Sequence, residues 1–307
     1  MNNKTVNNPL VSVVVICYNQ ASYIRECLNS IFMQKTTFPF EVKVYDDAST
    51  DGTADILREY GRKHNNLELN FYEENNFAKG LAYYGEKQGY LTARGKYIAT
   101  CEGDDYWTDS SKLQKQVEFL ETHPDYSVVF HRYKIFQEQQ RIWNSDGMDD
   151  LFVGNDQCVE LTTELFLNRW LTQYVTMMFR REAYRPEKID RYKLFRDSHL
   201  YYSLLQEGKG AILPIVAGVY QRTGKGIYTH MEEIKKYESH IAVAKEMWEL
   251  NRNDKRLKLP YVRAMQHFID KTTDDFTCRK KNLSYSIKVF FLTGHIKRLV
   301  INLKNLF

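Results

Sequence analysis

Residues 11–17, Val-Ser-Val-Val-Val-Ile-Cys, form a nearly unbroken β-branched run with no inside–outside alternation. A strand of this kind is buried on both faces, as in a parallel sheet covered by helices. The segments that follow hold to that architecture. Ile24, Cys27, Leu28, Ile31 and Phe32 recur at helical spacing and predict an amphipathic helix. Residues 40–45 predict a second strand, and residues 53–64 a helix capped by Thr53 or a neighbour. Residues 67–72 predict a third strand, 81–93 a helix and 96–101 a fourth strand. Strand–helix alternation at this spacing means βαβ units and a parallel sheet. Ligands in such sheets bind beyond the carboxyl ends of the strands. Those ends carry Tyr18-Asn19, then Asp46-Asp47, then Glu102-Gly103-Asp104-Asp105.

Three carboxylates within four residues repel one another, and a chain that places them at a strand end needs a compensating cation. Hard divalent ions with oxygen ligands, Mg²⁺ or Mn²⁺, fit best, and they commonly share their coordination shell with a substrate's phosphates. The competing reading is a solvated acidic turn. Beyond the cluster, Leu113, Val117 and Leu120 predict a helix and residues 126–130 a strand. Residues 137–160, polar and holding Gly147 and Gly154, predict a long loop. Residues 161–170 read as helix, 175–179 as extended, and 195–205 as a loop entering a helix. Residues 211–220 read as a strand interrupted by Pro214, Gly224 to Gly226 as a flexible turn, and the chain from Met231 onward as helical.

With these segments placed, the chain resembles the family 2 glycosyltransferases of GT-A fold. Val11–Gln20 (VSVVVICYNQ) is similar to that family's first strand and nucleotide-facing loop. Tyr45–Thr53 (YDDASTDGT) resembles its D-D-x-S-x-D-x-T turn, and Cys101–Asp105 sits where its D-x-D motif falls. Arg196-Asp197, followed by Leu200 and Leu204, resembles the E-D motif that supplies a catalytic base. The likeness covers roughly residues 10–225. Two departures stand out: Glu102 replaces the first D-x-D acid, and Arg196 the first acid of the E-D pair. Glu102 keeps the same acceptor atoms on a longer stem. Arg196 spares Asp197 a like-charge neighbour.

The resemblance implies an α/β GT-A fold: a mostly parallel nucleotide-binding sheet flanked by helices, with a helical C-terminal extension. It divides residues 1–230 into a donor half, about 10–105, and an acceptor half, about 106–230, followed by a helical region at 231–307. The implied reaction is metal-dependent, inverting transfer of a sugar from a nucleotide diphosphate sugar, a UDP-sugar, to an acceptor hydroxyl. The acceptor would be a glycan or a lipid-linked glycan of polysaccharide biosynthesis. Asp104 and Asp105 would hold Mn²⁺ or Mg²⁺, with Asp104 also at the donor. Tyr18 would line the base, Asp47 accept its ring N–H, Lys79 neutralise phosphate and Glu102 reach the ribose or, through water, the metal. Asp46, Ser49 and Asp51 would fix the turn. Asp197 is the expected general base, with His199 as the alternative. Trp107, Trp143 and Trp170 are expected in the core, with sugar stacking as the competing role. The rival to the enzyme reading is a non-catalytic nucleotide-sugar or glycan-binding module on the same fold.

Composition narrows the setting. No G-x-G-x-x-G follows the first strand and no phosphate-cradling G-x-x-x-x-G-K-[ST] occurs, so dinucleotide and P-loop chemistry are excluded. The five cysteines are scattered without a C-x-x-C pair, as expected of reduced structural thiols in a cytoplasmic protein. Residues 1–9 lack the basic and apolar regions of a secretory leader, and none is expected. No apolar run is long enough to span a bilayer. Residues 255–307 hold 12 Lys/Arg against 3 Asp/Glu, whereas the remaining residues hold 31 against 36. From Val289 to Phe307 the apolar positions alternate with Lys288, Lys297, Arg298 and Lys304. This pattern predicts peripheral contact with an anionic membrane rather than nucleic acid, packing on the protein being the alternative.

Overall fold

A computed structural model describes residues 8–81, 83–154, 157–224, 231–273 and 275–304. Lys225 and Gly226 of the expected flexible turn lie outside the described residues. The chain divides into two compact units, one of Met1–Asp190 with Asp197–Gly224, the other of Arg191–Arg196 with Lys225–Phe307.

In the first unit the elements run β1 (Val11–Cys17), α1 (Ile24–Phe32), β2 (Phe40–Asp46), α2 (Thr53–Lys63), β3 (Leu67–Phe71), α3 (Tyr84–Thr92) and β4 (Tyr97–Glu102). They continue with β5 (Tyr106–Trp107), α4 (Lys112–Thr122), β6 (Tyr126–Gln137), β7 (Ile142–Ser145), β8 (Val159–Leu161) and α5 (Thr163–Asn168). Then come β9 (Met178–Arg180), α6 (Pro186–Ile189), α7 (Asp197–Leu204) and β10 (Lys209–Arg222). One sheet has the order β3-β2-β1-β4-β9-β6-β10-β5, with β7 on β6 and β8 on β10. Its first four strands are parallel, and strands of both directions follow. The strand order reverses between β1 and β4, which creates a crevice at their carboxyl ends.

The apolar strands explain the layers. Val13, Val15 and Cys17 join Val42, Val44, Ala99 and Cys101 in a core closed by Leu28 and Ile31 of α1, Leu57 of α2, and Leu113, Val117 and Leu120 of α4. The opposite face of β1 meets α3. A Cβ on Gly89 would lie 2.4 Å from the Val14 Cγ1, so only glycine lets this helix press so close.

The helix at Thr53 is capped by its neighbour Gly52, at φ 96°, with no side-chain cap. Three expectations are corrected. The stretch 137–160 is not one long loop: β6 extends to Gln137 and turns back through β7, pairing Phe136 with Trp143. Residues 161–170 are helical only over Thr163–Asn168, because Val159–Leu161 pairs with β10. Pro214 leaves β10 unbroken, since the pairing with β6 shifts register between Leu213 and Val216 and so dispenses with a proline N–H.

In the second unit, α8 (Glu233–Leu250), α9 (Lys258–Thr272), α10 (Arg279–Thr293) and α11 (Ile296–Lys304) follow in order. Ile241, Tyr261, Val262, Met265, Phe268, Cys278 and Val289 form its core. Asn282 is buried and locks α10 to the end of α9, accepting from the Thr272 hydroxyl at 3.0 Å and donating to the Thr272 carbonyl at 3.1 Å.

Candidate active site

The loop after β1 and the turn after β2 are stitched together by polar side chains. Asn19 N–H donates to Ser49 Oγ (2.8 Å), Gln20 N–H to Thr53 Oγ1 (2.9 Å) and Ala21 N–H to Asp51 Oδ2 (2.9 Å). Thr50 N–H donates in return to Asn19 Oδ1 at 2.8 Å. Asn19 and Ala48 take left-handed backbones, φ 52° and 63°, that fold both segments tightly enough to meet. Asp46 is buried and accepts from the Ser49 hydroxyl and backbone, the structural role expected of it. Asp47 faces the other way. Its Oδ1 accepts from the Asn76 backbone (2.8 Å) and side chain (2.9 Å), and its Oδ2 from Phe77 N–H (3.1 Å). Tyr18 stands exposed at the end of β1.

At the end of β4 the chain turns through Gly103, whose N–H donates to the Ile16 carbonyl at 2.9 Å. A Cβ here would meet Gln20 Oε1 at 2.4 Å and Cys17 Cβ at 2.8 Å, so glycine alone can separate the two acids while the β1 loop lies this close. Glu102 and Asp104 are half-buried, whereas Asp105 is 1% exposed. Asp105 is turned toward β10, where its Oδ1 accepts from Gln221 N–H at 2.8 Å and its Oδ2 is buried without a hydrogen-bond partner. Burial followed by the other two carboxyls raises the pKa of Asp105 well above the carboxylate range. Glu102 is raised likewise, by burial and then by the charges of Asp104, Asp197 and Glu86. Asp104 is pushed up to about 6, mainly by burial, with a Gln20 side-chain hydrogen bond pulling the other way.

Asp197 is the first residue of α7 and half-buried, in the first turn where the helix dipole favours an anion. Its charge reaches Glu102 and Glu86, so the structure brings the expected base to the acid cluster. His199 is completely buried, which removes it from any acceptor. Lys79 is ion-paired with Glu74 on an exposed loop.

Sequence reasoning missed Glu86. It lies on α3, half-buried, and its pKa is raised to about 8 by burial and by the charges of Asp197 and Asp47. The available signal was Gly85 and Gly89, one turn apart. They mark the helix face pressed to the sheet, and Gly85 lies against Ile16 and Tyr45. An acid beside that stripe is carried toward the strand ends.

Comparison with known proteins follows the same lines. Residues 12–186 match the model of a family described as Glycosyl transferase family 2. An uncharacterized protein of Mycobacterium tuberculosis is 35% identical over 218 residues, which cover 71% of this chain and 60% of that protein. This chain therefore spans 60% of the length of that mycobacterial relative. TuaG of Bacillus subtilis, a putative teichuronic acid biosynthesis glycosyltransferase, is 29% identical over 65% of this chain and 73% of its own. WfaP of Escherichia coli, a UDP-Glc:α-D-GlcNAc-diphosphoundecaprenol β-1,3-glucosyltransferase, is 35% identical over 37% of this chain and 42% of its own. The crystal structure of S. aureus TarS 1–349 in complex with UDP-GlcNAc superposes with a TM-score of 0.60 at 20% identity, covering 95% of this chain and 88% of that one. That likeness carries the fold, which is GT-A.

Proposed function

Because this chain belongs to glycosyl transferase family 2, we propose that it transfers a sugar, with inversion, from a UDP-sugar to an acceptor hydroxyl on a lipid-linked glycan of a surface polysaccharide. One observation carries the reading. Acids from separate elements, Glu102 at the end of β4, Asp104 just beyond it and Asp197 on α7, share one electrostatic neighbourhood at the carboxyl end of a parallel sheet. The named relatives support the substrate class: WfaP acts between a UDP-sugar and a diphosphoundecaprenol-linked sugar, and the TarS fold holds UDP-GlcNAc.

In this reading Tyr18 lines the base, and Asp47 exchanges its Asn76 and Phe77 contacts for the base N–H. Glu102 accepts from the ribose. The all-oxygen donor set, crowded carboxyls and orphaned Asp105 Oδ2 fit a hard divalent ion, Mn²⁺ or Mg²⁺, held by Asp104 and Asp105. Such an ion supplies charge to the departing diphosphate. Asp197 removes the acceptor hydroxyl proton as that oxygen attacks the anomeric carbon from the face opposite the diphosphate, and this sets the stereochemistry. Incubation with a panel of nucleotide sugars and Mn²⁺, scored by free nucleotide diphosphate, tests the proposal. Release above background with a UDP-sugar is expected. UDP binding without release from any donor would leave a nucleotide-sugar-binding module instead.

We further propose that the second unit rests peripherally on an anionic membrane. Among the described residues no helix is long and apolar enough to cross one. On α10, Leu283, Ile287 and Phe291 stand exposed one turn apart, and Ile296, Val300 and Ile301 are exposed on α11. The side chains of Lys297, Arg298 and Lys304, which the sequence pattern sets among them, lie outside the described residues.

A further inference from the structure

The three tryptophans named as alternatives for sugar stacking separate cleanly by position. Trp107 is 1% exposed, with its indole N–H donating to the Val175 carbonyl at 2.9 Å, and serves the core. Trp143 is exposed on β7 and packs on Phe136 at 4.6 Å between ring centroids. Trp170 is 50% exposed and stands just after α5. Exposure alone means little, since single apolar side chains are common on surfaces. Its neighbours give it meaning. The indole lies 5.9 Å from the ring of Tyr201, which is fully buried on α7. Tyr201 is four residues after Asp197 on that helix, so the two share one face. The Tyr201 hydroxyl is buried without a hydrogen-bond partner and lies where the charges of Asp197 and Glu102 are both felt.

The segment that presents Trp170 is held on both sides. Arg169 donates to Asp150 and to the Gly147 carbonyl (2.8 Å), and Leu171 and Thr172 are buried. Gln173 donates to the Tyr133 hydroxyl at 3.3 Å. A large apolar plate is therefore fixed in the open beside Tyr201, which stands one helical turn from the expected base.

We propose that Trp170 is the platform for the acceptor sugar: its indole packs against the apolar C–H face of a pyranose ring and turns the reacting hydroxyl toward Asp197. Pyranoses have such a face, and an exposed aromatic plate is its natural complement. The assignment rests on the reading of Asp197 as the base, and it names the acceptor class as a pyranoside rather than a peptide or a bare lipid phosphate.

Saturation-transfer NMR with octyl β-D-glucopyranoside and octyl N-acetyl-β-D-glucosaminide tests sugar contact on the full chain without turnover. Ring protons of at least one glycoside should receive saturation from the wild type. The signal should fall at least fivefold in Trp170→Ala and survive in Trp170→Phe, with UDP–Mn²⁺ affinity by calorimetry equal in all three. Absence of ring saturation in the wild type, or equal saturation in Trp170→Ala, overturns the proposal. Joint loss of UDP affinity and glycoside contact also overturns it, because the indole would then support the fold rather than the sugar. Once transfer is measurable, Trp170→Ala should raise the acceptor KM about tenfold with a smaller change in kcat, and an unchanged KM counts against the platform. The NMR arm needs no donor, so failure of every nucleotide sugar to react would remove the proposed reaction and leave the sugar contact standing.

Discussion

The Asp47 carboxylate accepts both N–H groups of Asn76, the backbone at 2.8 Å and the side chain at 2.9 Å. With Phe77 N–H on its second oxygen, the acid anchors the loop that follows β3. A nucleobase that takes up Asp47 would share this carboxylate with the loop of residues 75–80, which links base recognition to that loop. Asp47→Asn swaps one acceptor oxygen for a donor and should weaken UDP binding about tenfold or more by calorimetry, within the range for a lost charge-assisted hydrogen bond. Asn76→Ala removes a competitor for the same oxygen and should bind UDP as tightly as the wild type or tighter. Equal UDP affinity in Asp47→Asn would make Asp47 purely a loop anchor.

How much of this was legible depended on range. The βαβ half was readable because β-branched runs and helical spacing are local signals, and the glycine, serine and threonine chemistry of residues 46–53 is local too. The β6–β7 hairpin was missed because its turn, Glu138 to Arg141, carries no glycine or asparagine, and Arg141 itself takes φ 52°. In the site, the acids were visible but their directions were not. Asp105 is turned by Gln221, a partner 116 residues away, and no spacing rule reaches that far. Glu86 escaped for the same reason: its raised pKa comes from burial and then from the charges of Asp197 and Asp47, which only the tertiary fold brings near.

Neutralising Asp104 should separate stability from activity. Its pKa is raised to about 6, so between the unfolded value near 4 and that point the native state binds the extra proton. Stability is therefore full below about pH 4, falls as pH rises through that window, and stays reduced above it. Asp104→Asn removes this cost, on the order of 1 kcal/mol. It should raise the thermal midpoint at pH 7.5 relative to the wild type, with the gain shrinking toward pH 4. Mn²⁺ should raise the wild-type midpoint and leave the variant's unchanged, and sugar transfer should fall by several orders of magnitude. Undiminished transfer by Asp104→Asn would refute the metal assignment.

Asp197→Asn keeps the shape of the expected base and removes its proton acceptor. UDP–Mn²⁺ affinity should be unchanged, because the proposed donor contacts come from the ends of β1, β2 and β4, while kcat should fall about 100-fold or more. With His199 wholly buried, His199→Gln should not reproduce that loss in kcat. A variant Asp197→Asn that retains wild-type kcat would move the base elsewhere, with Glu86 next in line.

Lys112 exposes a cost that the fold carries behind the acid cluster. The side chain is 0% exposed, its Nζ lies 3.8 Å from the centroid of the Trp107 ring, and it has no hydrogen-bond partner. It also opens α4, where the helix dipole disfavours a cation. Burial lowers its pKa to about 7. The unfolded chain therefore binds the extra proton between about pH 7 and 10.4, and stability rises with pH through that window. Lys112→Met should be more stable than the wild type by about 2 kcal/mol or more below pH 7, with the difference closing toward pH 10. A Lys112→Met protein less stable than the wild type at pH 6.5 would show that the cation–π contact outweighs desolvation.

The membrane reading of the second unit is best tested by substitution, because α10 also builds the core. Val289 and Asn282 are buried on it, and cutting the chain there would open the packing against α9. Leu283, Ile287 and Phe291 point outward, Phe291 at 79% exposure, so Leu283→Ser, Ile287→Ser and Phe291→Ser together should leave the thermal midpoint nearly unchanged. The basic surplus of residues 255–307 supplies the second half of the attraction. Each Lys or Arg near an anionic leaflet contributes about 1 kcal/mol, attenuated by salt, so apolar and electrostatic terms should fail separately. The wild type should co-sediment with phosphatidylglycerol-rich vesicles at low salt and far less with phosphatidylcholine vesicles. The triple variant should lose most of that binding, and raised salt should weaken the wild type. Equal sedimentation of both proteins, with both lipids, would make the exposed face of α10 a surface for another protein segment rather than for a bilayer.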